Sequence, residues 1–167
     1  VGNSVEHLRF PGTITVPTDT FERTLESIAR SLARAGFRDI VLIGDHGGYQ
    51  ASLEAVAKRL DREWASKPAR VHAVVEYYRA AATAYRQALA ASGHADAEIG
   101  THAGLADTSL SLAVDPAIVR AGKLKDAPRA AEGTYGDPRA STAALGEPGV
   151  NAIVAASGEA IRKATRR

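Results

Sequence analysis

Two glycine-flanked histidines are the residues in this chain best placed to do chemistry. His46 stands in Gly44-Asp45-His46-Gly47-Gly48, and His102 in Gly100-Thr101-His102-Ala103-Gly104, with Asp107 five residues further on. A neutral imidazole is the commonest nitrogen ligand for a metal and titrates near neutrality, so either histidine suits metal binding or proton transfer. Neighbouring glycines let the backbone turn sharply and let an ion or substrate approach closely. His46 therefore reads as a metal ligand or catalytic imidazole. The competing reading, a loop histidine at the head of the next helix, stands level with it on spacing alone. His102 reads as an acid/base or carbonyl-polarising group and Asp107 as a carboxylate ligand, although Asp107 taken alone is better explained as a helix N-cap.

The other candidates are weaker. Glu6-His7 precedes a Pro-Gly turn and by itself is plain surface. His72 falls inside a predicted strand and reads as structural, His94 as solvated, and Trp64 as a packing residue. Of Tyr77 and Tyr78, one ring can line a pocket if the strand continues, with core packing equally good. The chain has no cysteine, which removes thiolate nucleophiles, disulfides and Cys-ligated zinc. It has neither a Gly-x-Ser-x-Gly elbow nor a phosphate-binding P-loop. Hydrolytic chemistry is thus left to a serine triad or a metal, and the two His-Gly loops with Asp45 and Asp107 favour the metal.

Those loops need elements to hold them. Pro11-Gly12 marks a turn, and Thr13-Ile14-Thr15-Val16 after it reads as a short strand. Phe21, Leu25, Ile28 and Leu32 recur at helical spacing, which predicts a helix over 20–35, with Thr18 or Thr20 as N-cap and Gly36 as the glycine just past its end. Asp39 to Gly44 is an apolar run without polar alternation, hence a strand buried on both faces, as in a parallel sheet. It delivers His46 to a strand's carboxyl end, where open α/β sheets place their sites. A helix from about 50 to 66 follows, with Leu53, Val56, Ala57 and Leu60 on one face. Further expectations are a strand at 71–75, a helix at 80–91 ending before Gly93, a short helix at 108–114, a long surface loop at 121–136 and a last helix at 150–163. Together these predict a layered α/β sandwich with a mostly parallel central sheet flanked by helices.

Whole-chain properties bound the function. The 167 residues suit a single domain over 1–167 with a real core. Hydrophobic residues make up 45% and charged residues 24%, an ordinary soluble composition. Twenty-one basic and 19 acidic residues leave a net charge of +2, too balanced to argue for nucleic acid. Arg162, Lys163, Arg166 and Arg167 suit the end of a helix. No apolar run reaches the roughly 18 residues of a membrane span. A cysteine-free chain fits an exported or a cytoplasmic protein alike. The chain contains no methionine and begins at Val1, which is read as initiator removal, processing or truncation.

Several segments, in order, resemble the creatininase (creatinine amidohydrolase) family: Ser4-Val5-Glu6-His7, Phe10-Pro11-Gly12-Thr13-Ile14, Ile40 to Gly48, His102-Ala103-Gly104 with Asp107-Thr108-Ser109, and Gly136-Asp137-Pro138-Arg139. The resemblance implies a metal-dependent hydrolase acting on a small cyclic or linear amide through a metal-activated water, with one or two divalent ions, zinc, manganese or iron, and frequent homo-oligomers. It implies His46 as a metal ligand, Asp107 as a ligand or a carboxylate supporting one, and His102 as the proton-transfer histidine; Glu6, His7, Asp45 and Tyr78 are read beside them as supporting or pocket residues. The family's usual loop reads Asn-Gly-His-Gly-Gly-Asn; here Asp45 precedes the histidine, placed to orient it or marking a subgroup, and Tyr49-Gln50 follow the glycines. Glu98 stands where creatinine-hydrolysing members carry a tryptophan, which weakens creatinine as the substrate. The family's N-terminal ligand segment is expected upstream of Val1, as part of the native protein or as a separate bound chain. Rival readings are a binding or scaffold domain that kept the fold without its metals, and a lactonase- or deformylase-like hydrolase.

Overall fold

The computed structural model describes residues 2–127, 130–131 and 133–166. Within the expected 121–136 loop, residues 128, 129 and 132 lie outside the described residues, as do Val1 and Arg167 at the ends. The chain has an α/β fold and divides into two compact units, 1–78 with 156–167, and 79–155.

In the first unit, helix α1 (Thr18–Arg34) leads into strand β1 (Asp39–Leu42), helix α2 (Gln50–Glu63) and strand β2 (Arg70–Ala73). β1 and β2 pair in parallel, Asp39 opposite Arg70 through Leu42 opposite Ala73, as expected for a strand, crossover helix and strand. The predicted face of α2 is the buried one: Leu53, Val56, Ala57 and Leu60 join Ile40, Leu42, Trp64 and Val71 in one apolar cluster. α1 contributes Phe21 and Ala29, with Leu25 and Leu32 packed beside them. Ile28, expected on that stripe, is 51% exposed. It lies one residue off the line on which Phe21, Leu25, Ala29 and Leu32 follow each other at three- and four-residue steps. Gly36 ends α1 as predicted, at φ 94°, with Phe37 N–H returning to Leu32 O at 3.1 Å, a Schellman closure. The N-cap expectation fails: Pro17 holds that place, with no side chain capping.

Three other expectations do not hold. The stretch after Pro11-Gly12 is not a strand; Thr15 makes a single parallel bridge to Gly2, and with no further partner Ile14 stays 75% exposed. β1 alternates half-buried and buried residues, so one face, not both, is deeply covered. Tyr77 and Tyr78 do not extend β2; they lie in helix α3 (Glu76–Ala80).

The second unit carries a wider π turn (Ala81–Tyr85) that runs into α4 (Arg86–Ala91), then α5 (Asp96–Ile99), α6 (Leu105–Val114) and a two-residue antiparallel pair, β3 (Ala130–Ala131) with β4 (Thr134–Tyr135). Tyr85, Leu89, Ile99, Leu105 and Ala106 form its core. The closing helix α7 (Ala143–Thr165) begins seven residues before the prediction and contains Pro148. The helix passes through Pro148 without the backbone bond that a proline, having no N–H, cannot give. Among the described residues no helix is long and apolar enough to cross a membrane.

Candidate metal centre

The loop after β1 places His46 in extended conformation immediately before a 3₁₀ turn, Gly47–Tyr49, that opens into α2. Forty residues earlier, a single 3₁₀ turn carries Glu6 and His7. The fold brings the two together. His46 Nε2 lies 3.0 Å from Glu6 Oε1, and His7 Nδ1 lies 3.8 Å from the same oxygen. One ligand atom from each of Glu6, His7 and His46 falls within 4.8 Å of the others, the one such group of three among the described residues.

The donor chemistry fits a cation. His46 Nε2 is buried, and its close neighbour is the Glu6 carboxylate oxygen at 3.0 Å. A ring nitrogen beside a carboxylate oxygen repels it unless a proton or a metal ion lies between them. Glu6 is held below the usual carboxylate range, first by a hydrogen bond from its own backbone and then by the nearby His46 and His7. It is therefore anionic at neutral pH, as a ligand must be. Two imidazoles and a carboxylate are a donor set for zinc, manganese or iron that leaves coordination positions open.

Each glycine of the loop has a steric cause, and none of the three has positive φ. A Cβ at Gly48 would stand 2.6 Å from His46 Nε2 and 3.0 Å from Glu6 Oε1, so its absence leaves room beside both donor atoms. A Cβ at Gly47 would meet the Tyr78 hydroxyl at 2.8 Å, and one at Gly44 would come within 2.2 Å of the Tyr49 ring. Close approach, rather than a sharp turn, is what these glycines provide.

Several holders of the site carry no sequence signal of their own. Tyr49 meets His46 edge-on at 5.2 Å between ring centroids and contacts Phe21 at 5.0 Å, which ties the imidazole to the α1 core. Gln50 Nε2 donates to Gly44 O at 2.8 Å and to His46 O at 2.9 Å. On the other side, Thr13 Oγ1 donates to His7 O at 2.9 Å and Ser4 N–H donates to Thr15 Oγ1 at 2.8 Å. The Thr-x-Thr after the Pro-Gly turn thus anchors the Glu6-His7 turn instead of forming a strand. Asp45 is exposed; its N–H donates to the Tyr49 hydroxyl at 3.1 Å. Tyr77 is raised above the usual phenol range, by burial first and then by Asp45 and Tyr49.

His102 and Asp107 belong to the second unit and are not members of that group of three. His102 bridges Tyr135 in antiparallel fashion, and the two rings meet edge-on at 5.8 Å. Ala103 beside it takes φ 51°, a strained value for a residue with a Cβ. Asp107, in the first turn of α6, accepts the Ala103 N–H at 2.9 Å. Gly100 and Gly136 admit close backbone crossing there: a Cβ on Gly100 would overlap Tyr135 O at 1.9 Å. His72 pairs with Asp39 at 3.0 Å across the parallel strands, the structural role expected of it. His94, expected to be solvated, is half-buried and lies 3.8 Å from Glu98, because α5 turns that carboxylate back along the loop. Trp64 is 2% exposed, as a packing residue should be.

The model of the creatininase family, described as creatinine amidohydrolase, matches residues 1–161. Solved structures similar to the chain include "Creatininase Mn", 26% identical with a TM-score of 0.72, covering 95% of this chain and 69% of that one. A crystal structure of creatinine amidohydrolase (creatininase) is 25% identical with a TM-score of 0.74, over 95% and 68% of the two chains. A mutant creatininase of Zn–Zn type is 24% identical with a TM-score of 0.72, over 95% and 69%. No curated protein matches the chain in sequence.

Proposed function

The chain belongs to the creatininase family of metal-dependent amidohydrolases acting on C–N bonds, and from that premise we propose that it hydrolyses a small cyclic or linear amide. The observation that carries this reading is the Glu6, His7 and His46 group, with its buried Nε2 and the gap beside it at Gly48. Zinc, manganese or iron suits these donors, and the similar solved structures include a manganese form and a zinc form. Once bound, such an ion supplies an activated water near neutral pH and polarises the scissile carbonyl.

The chain's own residues divide the remaining work. Glu6, His7 and His46 hold the ion and leave positions open for water and substrate. Gly48 keeps side chains out of that space. His102 is proposed as a proton-transfer residue, a role for which histidine is suited at neutral pH. Asp107, expected as a ligand, is proposed to hold the His102 loop through the Ala103 N–H. Asp45 and Tyr78 are proposed to flank the metal loop, Tyr78 through its hydroxyl against Gly47. The family match runs across both compact units, which supports one creatininase-like domain. A second copy of the chain and a further N-terminal ligand segment are proposed as partners, to be sought by native mass spectrometry.

The test is hydrolysis by protein loaded with manganese or zinc against a panel of cyclic amides, linear amides, formamides and lactones. Turnover of an amide that His46→Ala abolishes and chelation removes supports the reading. Turnover confined to lactones or formamides would move the chain to a lactonase- or deformylase-like chemistry. No turnover by metal-loaded protein would favour a binding or scaffold domain.

A further inference from the structure

Gln50 is the first residue of α2, yet its side chain reaches back to the loop before the helix. An amide Nε2 carries two hydrogens. Both are used here, on Gly44 O at 2.8 Å and His46 O at 2.9 Å. These carbonyls belong to His46 itself and to the residue two before it. Such a bond pair fixes the extended backbone of His46, at φ −146° and ψ 128°, from which its ring reaches Glu6. Tyr49 meets the ring from one side. We infer that Gln50 is a positioning residue for His46: it holds the loop so that Nε2 faces the Glu6 carboxylate before any ion arrives. This rests on the reading of Glu6, His7 and His46 as a metal site.

The backbone clamp is specific to a long primary amide. A carboxylate at position 50 would set oxygen against two carbonyl oxygens. An asparagine is one methylene too short to keep the same reach to both acceptors. Neither change touches the donor atoms. Partners that orient a metal's histidines typically alter metal affinity ~10- to 100-fold when removed.

Gln50→Glu and Gln50→Ala would be compared with the unaltered chain and with Gln87→Glu, a change on a separate helix. Two readouts are taken. One is zinc and manganese affinity by competition with a chromophoric chelator. The other is amide hydrogen exchange over residues 44–49 without metal. Emission from Trp64, the only tryptophan and a buried one, checks that the core is intact in each variant. The inference expects both Gln50 variants to lose ~10- to 100-fold in affinity, with faster exchange over 44–49, while Gln87→Glu changes neither. Unchanged exchange in both variants would overturn the inference, whatever the metal result. Unchanged affinity with faster exchange would overturn it too, since a mobile loop would then bind equally well. If the unaltered chain binds no metal, the proposed function fails, and the exchange result still decides whether Gln50 clamps the loop.

Discussion

At position 48 the difference between glycine and alanine is one methyl group, and it lands 2.6 Å from His46 Nε2. That atom ends a side chain, so Gly48→Ala can be accommodated by swinging the imidazole away. The expected result is a folded protein with melting little changed and zinc or manganese affinity lowered at least ~10-fold, in line with losses for disturbed ligand orientation. Equal affinity would show that the gap beside Gly48 does not matter. Tyr85 provides a second residue-scale test. Burial pushes its phenol up to about 12, and its hydroxyl donates to Ala106 O at 3.2 Å. A raised pKa means that the folded chain holds the proton more tightly than the unfolded one. The associated stability is fully present below the unfolded value of about 10 and is lost as pH rises through about 12. Tyr85 should contribute roughly 2–3 kcal/mol to the decline in stability across that window, which denaturation at stepped pH would show as a smaller decline in Tyr85→Phe. Among the site residues, His46 was legible because glycines flank it. Glu6 and His7 were legible as supporting or pocket residues but not as ligands, since nothing in spacing reveals that a turn 40 residues upstream returns to the same ion-sized space.

Elements were legible where periodicity was long. α2 shows its buried face at 53, 56, 57 and 60, all of which are in the core, and Leu60→Ala should cost about 2–5 kcal/mol in chemical denaturation. A cost below 1 kcal/mol would contradict the packing described. The end of α2 was not legible. The turn that follows it is held by Arg70, whose Nη1 donates to the carbonyls of Trp64, Lys67 and Ala69 and whose Nη2 donates to that of Ala65. A side chain arriving from the following strand to satisfy these carbonyls leaves no local pattern. Arg70→Lys keeps the charge but not the planar fork, so it should lower stability by about 1–3 kcal/mol. The threonines after Pro11-Gly12 misled for the related reason that β-branched residues suit strands. Here Thr13 and Thr15 use their hydroxyls to hold the Glu6-His7 turn and make one bridge only. The start of α7 was not legible either: the helix begins at Ala143 and continues through Pro148.

At the scale of the whole chain, the order of short motifs carried more than composition did. Net charge of +2 and an ordinary apolar fraction exclude some partners but choose no chemistry. The family's span over residues 1–161 does choose one, and the geometry adds which donors this chain presents. The central claim is that Glu6, His7 and His46 form a divalent-metal site. Its most direct test is isothermal titration of chelator-treated protein with zinc and with manganese, alongside His46→Ala and Glu6→Gln, with metal per chain confirmed by elemental analysis. The account predicts saturable binding of at least one ion per chain, lost in His46→Ala and weakened in Glu6→Gln, with circular dichroism unchanged in both. Binding that is absent from the unaltered chain, or that survives intact in both variants, would contradict it.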